Sequence, residues 1–308
     1  MSGLRTQVHD YLTVRRALGF KLDGTGRLLE QFVDFADAAG ADTITTTLAL
    51  RWATLPEGGS AVWHAQRLSV VRCLARYLAT RESDTEVPPA YLLPARTSRA
   101  IPYLYSDADI AAMMDAARHL RSPLAAATME TLIGLLFTTG LRIGEALGLD
   151  RDNLDQGNGI LTIDTAKFNK PRQLPLHAST AAALTAYATR RDQLCPHPRT
   201  PGFFVSTTGA RLSRTTASEG FRRLLSDTGI ASRSPRCHPR IHDARHSFAV
   251  ATLLGWYRDG ADVPALLPLL STYLGHADPR HTYWYLSAAP ELLGLAADRL
   301  ERMWEATP

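Results

Sequence analysis

The sequence predicts a mainly α-helical chain of two domains with one small β-hairpin. Three observations predict it. Apolar residues recur at helical spacing along most of the chain and stop at glycine or proline. Strand-like alternation occurs in one place, beside the turn Gly157-Asn158-Gly159. A proline-rich stretch separates a first helical block from a longer second one. At 308 residues the chain is long enough for roughly two cores.

The first block holds four helices. Leu4, Val8, Tyr11, Leu12 and Leu18 share a helical stripe ending at Gly19. Leu22 to Ala39 ends at Gly40, the segment from Thr43 to Ala53 stops before Pro56, and Val62 to Leu78 follows Gly58-Gly59-Ser60. Four short helices in this length make a bundle. Arg67, Arg72 and Arg76 on the last one either meet phosphates or are ordinary solvated arginines. Pro88, Pro89, Pro94 and Pro102 then mark a semi-rigid linker. The domains are accordingly 1–85 and 104–308, with 86–103 as linker. Ser106 caps a helix running to about His119. Leu124–Thr139 forms an apolar helix ending at Gly140, and Arg142 opens a short amphipathic one. Ile160–Asp164 and Arg172–Leu176 read as strands, so Lys167 and Lys170 lie on a hairpin tip. Helices follow at about Ser179–Asp192 and Arg214–Thr228, then from His242, and finally from Pro290.

The composition is 45% hydrophobic and 21% charged, and the longest apolar runs are far shorter than the ~20 residues of a membrane span. Three cysteines without close pairs argue against a disulfide framework, and Met1–Arg5 carries no apolar signal region, so the expected location is cytoplasmic and nucleoid-associated. Cys195, His197, Cys237 and His238 match no common zinc spacing. The net charge is +4 but uneven: residues 165–250 hold 14 Lys or Arg against 4 Asp or Glu. Such a segment suits a polyanionic partner, nucleic acid first.

Within that segment lies His242-Asp243-Ala244-Arg245-His246, followed by an apolar helical run. Two imidazoles and a guanidinium at a helix N-terminus suit a phosphate. Helix capping through local carbonyls is the plainer alternative for such a short motif taken alone.

Four segments in order resemble the tyrosine recombinase (phage integrase) family, of the short two-domain kind: TGLRIGEALGL around Arg142, TAKFNKPRQLPL around Lys167, HDARHSFA around His242 and Arg245, and LGHADPRHTYWYL ending at Tyr285. The resemblance implies an N-terminal helical core-binding bundle and a C-terminal α+β catalytic domain. It further implies site-specific recombination of duplex DNA through a 3′-phosphotyrosyl intermediate and a Holliday junction, by a homotetramer, with or without a partner recombinase. Integration or excision of a mobile element, transposition and dimer resolution are the expected contexts. No cofactor or metal is implied, because bond energy stays in the phosphotyrosine.

By the same resemblance the catalytic set is Arg142, Lys167, His242, Arg245, His276 and Tyr285. Residue chemistry fits these assignments. Arg142 and Arg245 offer permanent charge and paired donors to nonbridging oxygens. Lys167 suits the leaving-group acid, His242 a base or phosphate donor, and His276 a phosphate donor. Tyr285 stands nine residues after His276, as the family's nucleophile does, and Tyr283 would point the other way on a helix. Ala166 and Phe168 replace the usual glycines of the lysine turn. His246 and Asp243 are expected to support the site, and Glu145 to be structural, bonding nearby backbone amides. A stripe of Leu292, Leu293, Ala296, Leu300, Met303 and Trp304 makes the last helix a candidate to dock on a neighbouring protomer. A separate arm-site domain is not expected. The alternatives are a type IB topoisomerase-like enzyme and an inactive DNA-binding relative.

Overall fold

Apolar stripes between Leu4 and Leu78 close into four helices, α1 (Gly3–Ala17), α2 (Asp23–Ala38), α3 (Thr46–Thr54) and α4 (Ala61–Leu78), in a computed structural model of the chain. It describes residues 3–94, 101–164, 171–276, 278–287 and Gly294. The hairpin tip with Lys167 and Lys170, and the final helix from Pro290, lie outside the described residues. The chain folds as two compact units, Met1–Arg99 and Ala100–Pro308.

The first unit is a bundle around Phe32, Trp52, Leu29, Leu68 and Leu74. Thr45 and Ser60 cap α3 and α4 by accepting from backbone N–H groups three residues on. Two of the three α4 arginines turn inward. Arg67 lies over the Trp52 ring at 3.8 Å and donates to the Trp52 carbonyl. Arg72 donates to the carbonyls of Pro88 and Pro89, which fastens the start of the proline-rich stretch to α4. Both therefore hold the bundle, and Arg76 is the exposed one. Burial of a guanidinium here is compensated by carbonyl acceptors and an aromatic face.

The second unit is built around α6 (Pro123–Thr139), which is buried on nearly every side, as its continuous apolar sequence requires. Around it pack α5 (Asp107–Arg118), α8 (Ala178–Leu194), α9 (Arg214–Asp227) and α10 (Asp243–Arg258). Ser106 and Asp109 form a reciprocal capping box at the start of α5. α7 (Ile143–Gly148) follows α6 after a turn at Gly140. A three-stranded antiparallel sheet runs β1 (Leu154–Asp155), β2 (Ile160–Ile163) and β3 (Arg172–Pro175), in that order. The register pairs Leu161 with Leu174 and ends on Ile163 with Arg172. The chain thus has the mainly helical fold with a small sheet that its sequence predicts, with β1 as a third strand. The loop at 195–202 is a surface loop, tied down by Arg191 donating to the Gly202 carbonyl and by Pro201 accepting from the Arg151 N–H. α11 (Val263–Leu274) and a short helix α12 (Arg280–Tyr283) complete the unit; α12 continues as a 3₁₀ turn over Trp284–Ser287. Among the described residues, no helix is long and apolar enough to cross a membrane.

Candidate active site

The site forms where α11 ends. An α-helix leaves its last carbonyls without partners inside the helix, and here three consecutive ones are taken by three arginines. Arg172 Nε donates to the Tyr273 carbonyl at 3.1 Å, Arg245 Nη2 to that of Leu274 at 2.7 Å, and Arg142 Nη2 to that of Gly275 at 3.1 Å. The negative end of the helix dipole favours this gathering of cations. Gly275 makes the approach feasible. Its φ is +67°, and a Cβ there would stand 2.8 Å from Arg172 Nη1.

Arg142 reaches the cluster because Gly140, at φ +62°, ends α6 and turns the chain. A Cβ at Gly140 would meet the Phe248 ring at 2.5 Å. The Gly140 carbonyl in turn accepts from Arg245 Nη1 at 2.9 Å. Arg245 is thus fixed by carbonyls 105 and 29 residues away in sequence rather than by local capping. It is buried, and that burial, helped by neighbouring Arg142, pulls its pKa down to about 10 against the opposing pull of the Tyr285 hydroxyl and Glu145.

Glu145 is the counter-ion. It is 3% exposed, and its carboxylate accepts from the Arg142 backbone N–H at 3.0 Å, Arg142 Nη1 at 2.8 Å, and Arg172 Nη1 and Nη2 at 3.1 and 2.9 Å. Burial works to raise its pKa, but the two guanidiniums and the backbone donor outweigh it and hold the group ionised. The expected bond to a backbone amide is present. The larger part, neutralising two arginines, was not anticipated, and Arg172 itself was not singled out. A signal for it existed: Arg172 stands two residues before buried Leu174 on a strand, so both face inward, and an inward charge needs a partner.

Aromatic groups also gather near Arg245. Tyr285 is 2% exposed with its hydroxyl near the Arg245 guanidinium, whereas Tyr283 is 51% exposed. The Tyr285 ring lies 5.5 Å from that of His246 and 6.1 Å from that of His276, centroid to centroid. His276 Nδ1 is 2.7 Å from the Thr282 hydroxyl. Burial first, then the positive charge of Arg245 and Arg142, drives the His276 pKa down to about 3. His242 sits at the N-terminus of α10, 5.2 Å from the His246 ring, and burial with Arg245 nearby lowers its pKa as well. Both rings are therefore neutral at neutral pH. Asp243, fully buried, accepts from Arg240 through both oxygens, at 3.1 and 3.0 Å, and stands 4.0 Å from His246 Nε2.

Five of the six expected residues, Arg142, His242, Arg245, His276 and Tyr285, thus come together although they are spread over 144 positions of sequence. The sixth, Lys167, lies outside the described residues; the strands flanking its loop end beside Arg172, in the cluster. The arrangement offers two guanidiniums for an anion, a buried hydroxyl beside one of them, and neutral imidazoles nearby.

Comparison with known proteins adds three findings. Residues 104–291 match the phage integrase family. The integrase/recombinase homologue y4rB of Sinorhizobium fredii is 43% identical over 99% of this chain and 99% of its own length, and the tyrosine recombinase XerD of Bradyrhizobium diazoefficiens is 30% identical over 88% and 87%. Among solved structures, the Tn1549 transposon integrase in complex with a circular intermediate DNA aligns with a TM-score of 0.66 at 18% identity, covering 98% of this chain and 100% of that one. XerH recombinase bound to a palindromic difH substrate aligns with a TM-score of 0.60 at 20% identity, covering 89% and 78%.

Proposed function

This chain belongs to the phage integrase family of tyrosine recombinases, enzymes of site-specific recombination, and from that premise we propose that it cuts and rejoins duplex DNA through a transient 3′-phosphotyrosyl bond at Tyr285. The observation that carries the reading is the buried Tyr285 hydroxyl on Arg245, at the same helix end that holds Arg142.

In the proposed step the Tyr285 hydroxyl attacks phosphorus and gives its proton to neutral His242. The new O–P bond forms as the bond to the 5′ oxygen breaks, and Lys167 protonates that oxygen. Arg142 and Arg245 neutralise the nonbridging oxygens, whose charge grows in the transition state. In this step the Thr282 hydroxyl, 2.7 Å from His276 Nδ1, serves as the donor to it, which leaves the His276 proton on Nε2 for a phosphoryl oxygen. The freed 5′ hydroxyl of a second duplex then attacks the phosphotyrosine, reversing the proton transfers. Two such exchanges through a Holliday junction require four protomers on two duplexes, and the segment 290–306 is the element proposed to dock between them.

Covalent trapping tests this. The wild type and two variants are incubated with nicked duplexes selected from a random library for retention by the Tyr285→Phe protein. A 3′-linked adduct is expected with wild type and with Tyr283→Phe, and none with Tyr285→Phe. An adduct lost only in Tyr283→Phe, or no adduct with wild type on bound DNA, would contradict the assignment.

A further inference from the structure

Charge at the end of α11 is not divided as a phosphate site with two arginines would need. Glu145 alone beside Arg142 would cancel it, leaving Arg245 as the one net cation facing a diester whose own charge rises toward two in the transition state. The third arginine changes this. Arg172, with a side chain 12% exposed, takes both carboxylate oxygens of Glu145 in a two-pronged grip, at 3.1 and 2.9 Å. The Arg142 guanidinium touches the carboxylate through one nitrogen, is 26% exposed, and has its other end on the Gly275 carbonyl. Three permanent cations against one carboxylate leave the cluster at a net charge of +2.

We propose that Arg172 is a positioning residue for strand cleavage: by taking both oxygens of Glu145 and the Tyr273 carbonyl, it shares the carboxylate with Arg142 so that Glu145 does not cancel Arg142 alone, and the cluster keeps two net positive charges for the phosphate. This rests on the phosphotyrosyl reading above. In this role Arg172 acts through Glu145 and Arg142, with its guanidinium held by Glu145 and the Tyr273 carbonyl. Gly275 belongs to the same device, since any Cβ there would displace Arg172.

The test uses full-length protein and the selected duplex, with the cleaved phosphate mapped on wild type. Single-turnover cleavage is compared on the ordinary diester and on a duplex with a methylphosphonate at that position. The methyl group removes the diester's charge and lowers the demand for cations. Arg172→Gln is expected to slow cleavage of the diester about 100-fold, and of the methylphosphonate by less than about 3-fold. Adding Glu145→Gln to Arg172→Gln is expected to restore part of the diester rate, because Arg142 is then released. Equal losses on the two substrates, or a double variant no faster than the single one, would overturn the proposal. Should Arg172→Gln fail to fold, Arg172→Lys replaces it; its ammonium lacks the two-pronged grip, and a smaller loss on the diester alone is expected. A wild type that forms no adduct on either substrate overturns the phosphotyrosyl reading, and this proposal with it, before any variant is compared.

Discussion

His276 shows what burial does to one residue. Its ring, between Tyr285, His281 and the Thr282 hydroxyl, stays neutral down to about pH 3, against a usual value of 6.5. Between those limits the unfolded chain binds a proton that the folded chain does not. Stability of the free protein therefore rises with pH across this window; the contribution is complete above about pH 6.5 and is lost as pH falls toward 3. Urea unfolding of His276→Gln should lose stability less steeply between these pH values than wild type, and parallel slopes would contradict it. The family resemblance picks Tyr285 over Tyr283 by its distance in sequence from His276. Its burial at 2%, against 51% for Tyr283, comes from packing on α10 and α11, which spacing does not contain.

Element ends matter more here than element interiors. α6 and α11 both finish in a left-handed glycine, Gly140 and Gly275, and both ends supply carbonyls to Arg245. Gly140→Ala would force a strained φ and press a methyl into the Phe248 ring. A destabilisation of about 2–4 kcal/mol is expected in urea melts, with cleavage reduced beyond what the loss of folded protein explains, because the Arg245 acceptor moves. Helix punctuation was legible: glycine after an apolar run, serine before one, with Ser106, Ser60 and Gly140 all at the predicted ends. The side of α4 that its arginines face was not. Arg67 and Arg72 look solvated by composition, yet they donate to the carbonyls of Trp52, Pro88 and Pro89, partners set by how other segments return to that helix.

For the whole molecule, the basic residues of 165–250 include two groups. Arg172, Arg191, Arg211, Arg240 and Arg245 pair with Glu145, Asp192, Asp150 and Asp243 or with backbone carbonyls, and so hold the second unit together. Arg190, Arg199, Arg214 and Arg222 are exposed. With DNA as the proposed partner, contacts from such side chains make affinity a function of salt. Retention of duplex by Tyr285→Phe protein should fall on the order of 1,000-fold or more between 50 and 200 mM salt. A flat salt response would argue against phosphate-directed binding. What the sequence laid out by itself was the set of parts: helical blocks, one hairpin, and six dispersed residues whose chemistry and order resemble one family. These are legible because periodicity, capping and residue chemistry are local properties of the chain. Only the tertiary structure decided that three helix-end carbonyls collect three arginines, that Glu145 divides its charge between two of them, and that Arg172 belongs to the site at all. Such pairings depend on which segments meet in space, and burial makes them strong by removing the water that would otherwise screen each charge.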